Sequence, residues 1–387
     1  MQTRRNFLKS IALLGAAVTL PVQKLFAQDA GIAPKPVGAG TSAVSYGTTI
    51  RPSRRPPRSI TIPDAGEFKV LKGDFHIHTL FSDGQVMPKD RVNEAVDNGL
   101  DVIAITDHIE YRPNINSREL RLAAKNDDHN LSYTFAKPEA DKSNLILVRG
   151  VEITKAMWHC NALFVQDVNA IAAVVDDWQK MLAVSAEQGG FNTWNHPSWI
   201  DRAPETPPFG LKTGEPLRFF EEIEEVRKKG NLHGVEVFNG TSFYPIALDW
   251  CNERDLVPTT VSDIHASEWN TYGSQNPLRP MSLILAKDRS LESVKEAFFA
   301  GRIVGWAANM ILGRPLWVEK LFRSSVEIKK TANGLSLQNL SDIPCLIEAG
   351  GKSSELVAKG TLAIDPSQKL TVSNWFVGLN KPLEIVP

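Results

Sequence analysis

Two histidines and an aspartate lie close together after a short apolar run of this chain. His76 and His78 are separated by one residue, and Asp83 follows in the next few positions. Alternate residues of a β-strand point to the same side, so both imidazoles would face one point and the carboxylate would come from the following turn. Imidazole and carboxylate groups that converge in this way can hold a divalent cation. A pair of structural histidines is the alternative interpretation of this motif taken alone.

Further histidine, aspartate and glutamate residues occur in later segments. An enclosed metal site draws its ligands from several separate segments, so this distribution is the one expected for such a site. Six of the eight histidines belong to this set, and none of its members is a cysteine. Nitrogen and oxygen ligands in this number are too many for one tetrahedral site, and they fit two or three divalent cations of the Mn, Zn or Fe kind. The candidate metal ligands are His76, His78, Asp83, His108, Glu152, His159, His196, Asp263 and His265.

Short apolar runs alternate with helix-like segments over most of the chain. This alternation is typical of a parallel α/β architecture, and seven or so strands with polar groups at their carboxyl ends favour a barrel over an open sheet. The apolar run at 159–165 differs, because its polar residue, His159, lies at the start of the predicted strand rather than at its end. Strands are predicted after Phe68 and at 101–106, 145–148, 159–165, 191–194, 234–238, 257–261 and 283–286, and helices at about 88–98, 170–188, 216–229, 245–254 and 291–300.

The amino-terminal residues have the composition of a twin-arginine signal peptide. Arg4-Arg5 precedes an apolar run that is short for a membrane span, and small residues near Ala27 are typical of a cleavage site. We expect residues 1–27 to direct export to the periplasm through the twin-arginine machinery and then to be removed. An amphipathic first helix and an uncleaved anchor are the alternatives. Residues 28–66 are rich in Gly, Pro, Ser and Thr and predict an extended leader arm.

The pattern changes again near residue 316. Residues 67–315 hold the predicted barrel, whereas short alternating apolar runs with turn residues between them predict a small antiparallel β appendage at 316–387. The formal net charge of −1 gives no sign of a general nucleic-acid binder. The three cysteines are far apart and lack paired spacing, so the sequence predicts neither a disulfide framework nor a zinc knuckle.

Taken together, the motifs resemble those of the PHP (polymerase and histidinol phosphatase) family over about residues 70–310. The matching segments are His76-Ile-His78 with Ser82-Asp83-Gly84, Thr106-Asp107-His108, Gly150-Val-Glu152, Asn195-His196-Pro197 and Asp263-Ile-His265. The resemblance implies a distorted seven-stranded (β/α) barrel and a metal-dependent phosphoesterase.

The same resemblance implies how the ligands divide among the cations. One metal would be held by His76, His78, Glu152 and Asp263. Glu152 would bridge to a second metal, which His159 and His196 would also hold. A third would be held by Asp83, His108 and His265, and some family members have histidine at the position of Asp83.

A cluster of cations suits the hydrolysis of phosphate esters. Adjacent cations bind phosphoryl oxygens and lower the pKa of a water, so we assign the nucleophile to a metal-activated hydroxide and need no side-chain nucleophile. Asp263 or a metal-bound water would manage the proton, or else His196 or His265 where these are not fully bound to metal. The expected substrate is a small phosphate mono- or diester, nucleotides included. Beyond that substrate and the export machinery we expect neither a nucleic-acid duplex as partner nor a stable membrane span once the chain is processed.

Three basic residues follow motif segments and could clamp a phosphate or nucleotide: Arg112, Lys155 and Arg202. An exposed, solvated charge is the alternative for each of them. Asp107 faces opposite to His108 and is expected to support the site rather than to bind metal. Two other functions stay open at this point. Related barrels with the same ligand types hydrolyse amides or lactones, and a non-catalytic metal-binding module would also explain the ligand set.

Overall fold

The computed structural model describes residues 59–115, 127–154, 158–198, 217–273, 279–365 and 369–387. The predicted signal peptide, the leader arm up to residue 58, Lys155 and Arg202 lie outside the described residues. Among the described residues, no helix combines the length and apolar character that a membrane crossing needs.

The strands are short, and most follow the apolar runs of the sequence. They are β1 (Lys69–Asp74), β2 (Val102–Ile105), β3 (Ile146–Ile153), β4 (Cys160–Leu163), β5 (Phe191–Trp194), β6 (Gly234–Asn239), β7 (Ser242–Phe243), β8 (Val257–Val261), β9 (Met281–Ala286), β10 (Ile303–Ala307), β11 (Met310–Gly313), β12 (Val326–Thr331), β13 (Gly334–Asn339), β14 (Cys345–Ala349), β15 (Lys352–Leu356), β16 (Thr361–Ile364), β17 (Leu370–Gly378) and β18 (Lys381–Ile385).

Three helices begin at a proline. Pro88, Pro245 and Pro315 occupy first turns, where the missing N–H has no helical partner in any case. The helices are α1 (Pro88–Asp97), α2 (Leu131–Lys142), α3 (Val168–Ala172), α4 (Trp178–Glu187), α5 (Glu221–Lys228), α6 (Pro245–Arg254), α7 (Leu291–Phe299) and α8 (Pro315–Ser325), with a π-helical turn at Trp269–Gly273.

The single helix predicted over 170–188 is wrong, because the chain forms α3 and α4 there instead. Asp177 has extended backbone angles, and its side chain accepts a hydrogen bond from the Lys180 backbone N at 3.1 Å. A short polar side chain in this position satisfies one of the unpaired N–H groups at a helix start. It therefore begins a new helix rather than continuing the old one.

Most strands belong to one large mixed sheet. Its order is β15-β14-β17-β11-β10-β9-β1-β2-β3-β4-β5-β6-β7, with β8 paired to β6 and β18 paired to β17. The pairs β1–β2, β2–β3, β5–β6 and β6–β8 are parallel. A separate three-stranded sheet has the order β12-β13-β16. The predicted α/β class is confirmed, and the sheet combines parallel with antiparallel pairs.

The strand β4 departs from the parallel pattern, because it runs antiparallel to both β3 and β5. Only residues 154–159 connect β3 to β4, and a parallel crossover needs a dozen or more residues. The reversed direction puts the amino-terminal end of β4 at the same edge as the carboxyl ends of its neighbours. A polar residue that opens β4 therefore lies beside residues that close β3 and β5.

The segments that follow β1 and β8 are joined by a parallel bridge between Ile77 and Ile264. The His78 backbone N donates to Ile264 O at 3.1 Å, and the Asp263 N donates to His76 O at 2.9 Å. The bridge places the two segments side by side beyond the ends of their strands. The count of seven barrel strands and the domain boundaries at 67–315 and 316–387 stay predictions.

The strands after residue 326 share their packing with the rest of the sheet. β17 pairs parallel with β11, with Trp375 opposite Ile311. Trp375 is fully buried and packs edge-on against Phe322 of α8, with ring centroids 5.5 Å apart. Both aromatic residues belong to one hydrophobic core that also includes Ile77 and Ile103.

Candidate metal centre

One edge of the sheet carries the predicted ligands, because the strands that bear them end there. The structure brings all of the sequence-predicted ligands to this edge. His76 and His78 follow β1, His108 follows β2, Glu152 lies in β3, His159 precedes β4, His196 follows β5, and Asp263 and His265 follow β8, while Asp83 comes from the turn after His78.

Glu152 lies at the centre of the cluster and is 1% exposed. Its Oε1 also accepts a hydrogen bond from Asn195 Nδ2 at 3.0 Å. Five imidazoles surround the carboxylate: Oε2 lies 3.3 Å from His76 Nε2, 3.3 Å from His78 Nε2 and 3.0 Å from His108 Nδ1, and Oε1 lies 3.2 Å from His159 Nδ1 and 3.4 Å from His196 Nε2.

Asp263 faces Glu152 across the same imidazoles. Its Oδ1 lies 3.1 Å from His78 Nε2, 3.3 Å from His76 Nε2 and 3.7 Å from His265 Nδ1. Asp263 has a φ of 50° and His196 a φ of 25°, in the left-handed region that residues other than glycine rarely adopt. Backbone strain of this kind is concentrated at functional sites, and here both strained residues aim side chains into the cluster.

Asp83 forms the third part of the cluster. Its carboxylate lies 3.1 Å from His265 Nε2, 3.5 Å from His78 Nδ1 and 3.6 Å from His108 Nε2. The ring of His78 stacks between those of His108 and His265, with centroids 4.5 and 4.2 Å away. This packing fixes the direction of each imidazole.

The donor atoms fall into three overlapping groups in which every atom lies within 4.8 Å of the others: His78, Asp83, His108 and His265; His76, His78 and Asp263; and His76, Glu152 and His196. His159 contacts Glu152 but belongs to none of these groups. Asp263 Oδ1 is buried without a hydrogen-bond partner beside two imidazole nitrogens, and a cation would satisfy all three atoms. The residues therefore fit divalent cations bound by nitrogen and oxygen.

The carboxylates of the cluster are ionised. Burial raises the pKa of Glu152, but the neighbouring His108 and His76 outweigh it and hold that pKa well below its usual range. Burial is likewise outweighed at Asp263, where His76 and His78 keep the pKa well below the usual value. At Asp83, His108 and His265 lower the pKa against the effect of burial. Negative charge is thus in place for a cation.

The pKa values of the imidazoles shift in opposite directions. Burial opposes the charged form of His76, but Asp263, Glu152 and Glu236 outweigh it and raise the pKa well above its usual value. Burial is outweighed at His108 as well, where Glu152 and Asp83 raise the pKa to about 10. Burial dominates at His78 and lowers its pKa to about 4, with further lowering by the cationic neighbours His265 and His108.

Asp107 supports the turn that carries Asp83. Its carboxylate accepts hydrogen bonds from the Thr79 backbone N at 2.7 Å, from Thr79 Oγ1 at 2.6 Å and from Ser82 Oγ at 2.6 Å. Both oxygens are therefore engaged away from the imidazoles. This geometry agrees with the supporting position expected from the sequence.

Glu236 is a member of the site that the sequence motifs do not reveal. It is fully buried in β6, and its Oε1 lies 2.7 Å from His76 Nδ1. Its Oε2 accepts hydrogen bonds from the His196 backbone N at 2.6 Å and from Asn239 Nδ2 at 2.8 Å. The one available signal is a carboxylate inside an otherwise apolar strand, since such a group must find partners when buried.

Arg112 is the one predicted substrate-binding residue within the described part of the chain. Its Nε donates to Phe81 O at 3.1 Å. It lines a small pocket with His108, Asp128 and His129, directly beside the cluster. An anionic group bound at the cluster would therefore lie near this guanidinium.

Comparisons with known proteins agree with this geometry. The PHP domain model matches residues 74–188. A two-domain protein from Bacteroides vulgatus, containing a predicted PHP-like metal-dependent phosphoesterase, is 30% identical, with a TM-score of 0.76 and coverage of 87% of this chain and 99% of that chain.

Two other solved structures are more distant. A candidate metal-dependent phosphoesterase from Bifidobacterium adolescentis is 18% identical, with a TM-score of 0.36 and coverage of 50% of this chain and 87% of that chain. An amidohydrolase from Chromobacterium violaceum with bound sulfate is 13% identical, with a TM-score of 0.36 and coverage of 51% and 89%. The curated proteins give no significant match. The extent of the similarity to the Bacteroides protein, together with the domain match, shows that this chain belongs to the PHP family.

Proposed function

We propose that this protein is a metal-dependent phosphoesterase that hydrolyses small phosphate mono- or diesters. The observation that carries the proposal is the overlap of the three ligand groups, in which His76 and His78 each belong to two. One imidazole nitrogen binds one cation at a time, so the overlap marks candidate positions that adjoin each other rather than histidines that bind two cations. Adjoining positions suit the two-metal sites of phosphatases and nucleases, and the two oxygens of a carboxylate such as Glu152 would serve both cations.

The residues that would hold the cations are those of the three groups, with His159 completing the contacts of Glu152. Bound divalent cations would neutralise phosphoryl oxygens and lower the pKa of a water that attacks phosphorus. The ionised Glu152 and Asp263 supply the negative charge that holds them. The number of cations, two or three, and their identity among Mn, Zn and Fe form part of the proposal.

If two cations bind and leave His265 without a metal, His265 is the predicted proton carrier that the geometry favours over Asp263 and His196. Its side chain is 38% exposed, whereas that of Asp263 is 18% exposed and that of His196 8%. Its Nδ1 lies 2.9 Å from Asp263 O, which leaves Nε2 facing Asp83 and the open side of the cluster. An exposed imidazole can exchange a proton with water during turnover.

We assign Arg112 to the binding of an anionic part of the substrate. The guanidinium lies in the pocket next to His108, and its Nε is already held by Phe81 O. A cation fixed in this way can bind a phosphate or carboxylate without losing much side-chain freedom. Lys155 and Arg202 remain candidates for the same purpose on sequence grounds alone.

A substrate screen tests the proposal. Protein lacking residues 1–27 is loaded with Mn²⁺ and offered nucleotides, cyclic nucleotides and sugar phosphates, with phosphate release and product chromatography as readouts. The same protein treated with a chelator is the control. Metal-dependent cleavage of a phosphate ester is the expected result. Turnover confined to a parallel panel of amides and lactones would favour the other hydrolase class, and no turnover at full metal occupancy would favour a binding module.

We also propose that the protein acts outside the cytoplasm. The support is the sequence of residues 1–27, in which Arg4-Arg5 precedes an apolar run. Changing both arginines to lysine should keep the protein in the cytoplasm, as measured by fractionation and immunoblotting. Undiminished periplasmic protein in that variant would remove the twin-arginine route from the proposal.

A further inference from the structure

A buried arginine of α1 connects the two segments that carry most of the ligands. Arg91 is 0% exposed and belongs to none of the sequence motifs that identify the metal centre. Its Nε donates to His78 O at 2.9 Å, and its Nη2 donates to Ile264 O at 3.1 Å and His265 O at 2.7 Å. Its Nη1 donates to Ala266 O at 2.8 Å and to Glu94 Oε2 at 2.7 Å.

These contacts use the whole hydrogen-bonding capacity of the side chain. A guanidinium has five N–H donors in a fixed planar fork, and Arg91 has five acceptors, four of them backbone carbonyls. The carbonyls come from the segment after β1 and the segment after β8. The planar fork therefore sets the distance between the two segments.

Glu94 extends the connection by one further bond. Its Oε2 accepts from Arg91, and its Oε1 accepts from the Glu268 backbone N at 2.8 Å. Burial lowers the pKa of Arg91, whereas the Glu94 carboxylate opposes this change and compensates the buried charge. Helix α1 thus holds residues 264–268 through two side chains one helical turn apart.

Two of the four carbonyls that Arg91 binds belong to ligand residues of one group. His78 and His265 are both members of the group His78, Asp83, His108 and His265, which we call the Asp83 group. Their imidazoles stack with centroids 4.2 Å apart, and the Gln85 N, two residues after Asp83, donates to His265 O at 2.8 Å. A small change in the separation of the two backbones would alter all these ligand distances together.

We propose that Arg91 is a positioning residue that sets the geometry of the Asp83 group and thereby its affinity for a divalent cation. The inference rests on the proposed metal centre and concerns cation binding rather than the reaction. Arg91 does not touch the cation or the substrate. It acts through the backbone of His78 and His265, and Glu94 holds it in place.

The test compares two conservative variants of the full-length chain, Arg91→Lys and Arg302→Lys. Arg302 is a matched control, since it is also buried, donates from Nε to a carbonyl, that of Leu285, at 2.9 Å, and pairs with Glu296. Lysine keeps the charge but has its donors on one nitrogen, so it cannot bind four carbonyls on two segments. Mn²⁺ binding is measured by calorimetry and by metal analysis after dialysis, with circular dichroism as the measure of folding.

We expect Arg91→Lys to weaken one class of Mn²⁺ site by about 10- to 100-fold, as is typical for residues that orient metal ligands. The remaining Mn²⁺ should bind as in the wild type, and Arg302→Lys should keep full metal content. Wild-type Mn²⁺ affinity in a folded Arg91→Lys protein would overturn the proposal. An equal loss of metal in Arg302→Lys would also overturn it, because general destabilisation would then explain the effect.

A second variant covers the case in which Arg91→Lys does not fold. In Glu94→Gln an NH2 donor replaces one of the two carboxylate oxygens, so it faces either Arg91 or the Glu268 N, and that hydrogen bond is lost. It should weaken the same class of Mn²⁺ site by a smaller factor, and unchanged Mn²⁺ binding would count against Arg91. All readouts are metal binding, so a failed substrate screen with intact Mn²⁺ binding would reject the phosphoesterase proposal and leave this one standing.

Discussion

Among single residues, His78 and His76 each belong to two of the candidate ligand groups, so a substitution at either one would disturb both groups. His78 is fully buried, and its two ring nitrogens face different carboxylates: Nε2 faces Glu152 and Asp263, and Nδ1 faces Asp83. Loss of the His78 imidazole would therefore change the contacts of the whole cluster. Its low pKa keeps the ring neutral and ready to act as a ligand.

Substitution His78→Asn should reduce bound Mn²⁺ by at least one ion per chain and lower phosphate release by more than about 100-fold, since losing a ligand costs more than losing its support. Metal analysis and the substrate assay measure the two effects. His233→Asn is the control, because His233 is partly buried outside the cluster and accepts a hydrogen bond from the Asn192 N at 2.9 Å. Full activity and metal content in His78→Asn would remove His78 from the site.

The raised pKa values of the histidines predict a pH dependence of metal binding. Without metal, His76 and His108 hold protons at neutral pH, since the pKa of His76 is raised well above its usual value and that of His108 is raised to about 10. These protons must leave before the nitrogens can bind a cation. Mn²⁺ affinity should therefore increase as the pH rises from about 6 to about 8, with proton release that calorimetry in several buffers can count. An affinity that falls over this range would contradict the assignment.

The same shifts predict the opposite trend for the stability of the metal-free protein. A histidine whose folded-state pKa is raised stabilises the fold below its unfolded-state pKa, and this contribution is lost as the pH rises through the folded-state value. For His108 the window runs from 6.5 to about 10. The melting temperature of the metal-free protein should fall across this window, and the gap to the Mn²⁺-loaded protein should widen. Differential scanning calorimetry measures both, and a gap that narrows would show that these histidines are neutral in the fold.

Among the secondary-structure elements, the turn after β1 depends on a close backbone approach. A Cβ on Gly84 would lie 2.6 Å from the carbonyl C of His78 and 2.7 Å from the Thr79 N. The Gly84 N also donates to Thr79 O at 2.9 Å, which closes the turn that carries Asp83. Both contacts are to backbone atoms that cannot rotate away.

Substitution Gly84→Ala should therefore displace His78 or Asp83 and weaken Mn²⁺ binding by about 10-fold or more. Gly313→Ala in β11 is the control: its Cβ would lie 3.0 Å from a side-chain methyl group of Val318, and the nearest backbone atom, Val304 Cα, would be at an ordinary contact distance of 3.5 Å. Calorimetric titration with Mn²⁺ compares the two variants. Wild-type binding in Gly84→Ala would show that the turn can shift without moving its ligands.

Local sequence patterns predicted several secondary-structure elements well, and they failed where contacts between distant parts of the chain determine the structure. Buried parallel strands are typically continuous apolar runs, and the run predicted as a strand at 101–106 forms the strand Val102–Ile105. The direction of β4 carries no such signal, because it follows from the length of a connection rather than from residue types.

In the candidate site, too, local motifs were predictive and distant contacts were not. Ligand residues such as Glu152 and Asp263 were recognisable from the motifs around them, and the structure brings them together. Glu236 and Arg91 were not, because their importance depends on partners more than 100 residues away in the chain. The role of a buried carboxylate or guanidinium can be assigned only when the groups that it contacts are known.

In the chain as a whole, several carboxyl-terminal strands belong to the same sheet that carries the metal centre. β17 pairs with β11, and Trp375 packs against Phe322 inside one shared core. Residues 316–387 therefore support the stability of the sheet, although none of the predicted ligands comes from them. Stability and metal binding should respond separately to changes in this region.

Substitution Trp375→Ala should lower the free energy of unfolding by about 3–5 kcal/mol, the usual cost of removing a large buried aromatic side chain. Leu316→Ala is the control: Leu316 is 65% exposed, and its loss should change the free energy of unfolding by less than about 0.5 kcal/mol. Urea denaturation measures both values. The folded fraction of Trp375→Ala should keep its full Mn²⁺ content, because the side chain lies outside the ligand groups. A small loss of stability would mean that the last strands do not share the core, and a loss of metal from folded protein would mean that they also shape the site.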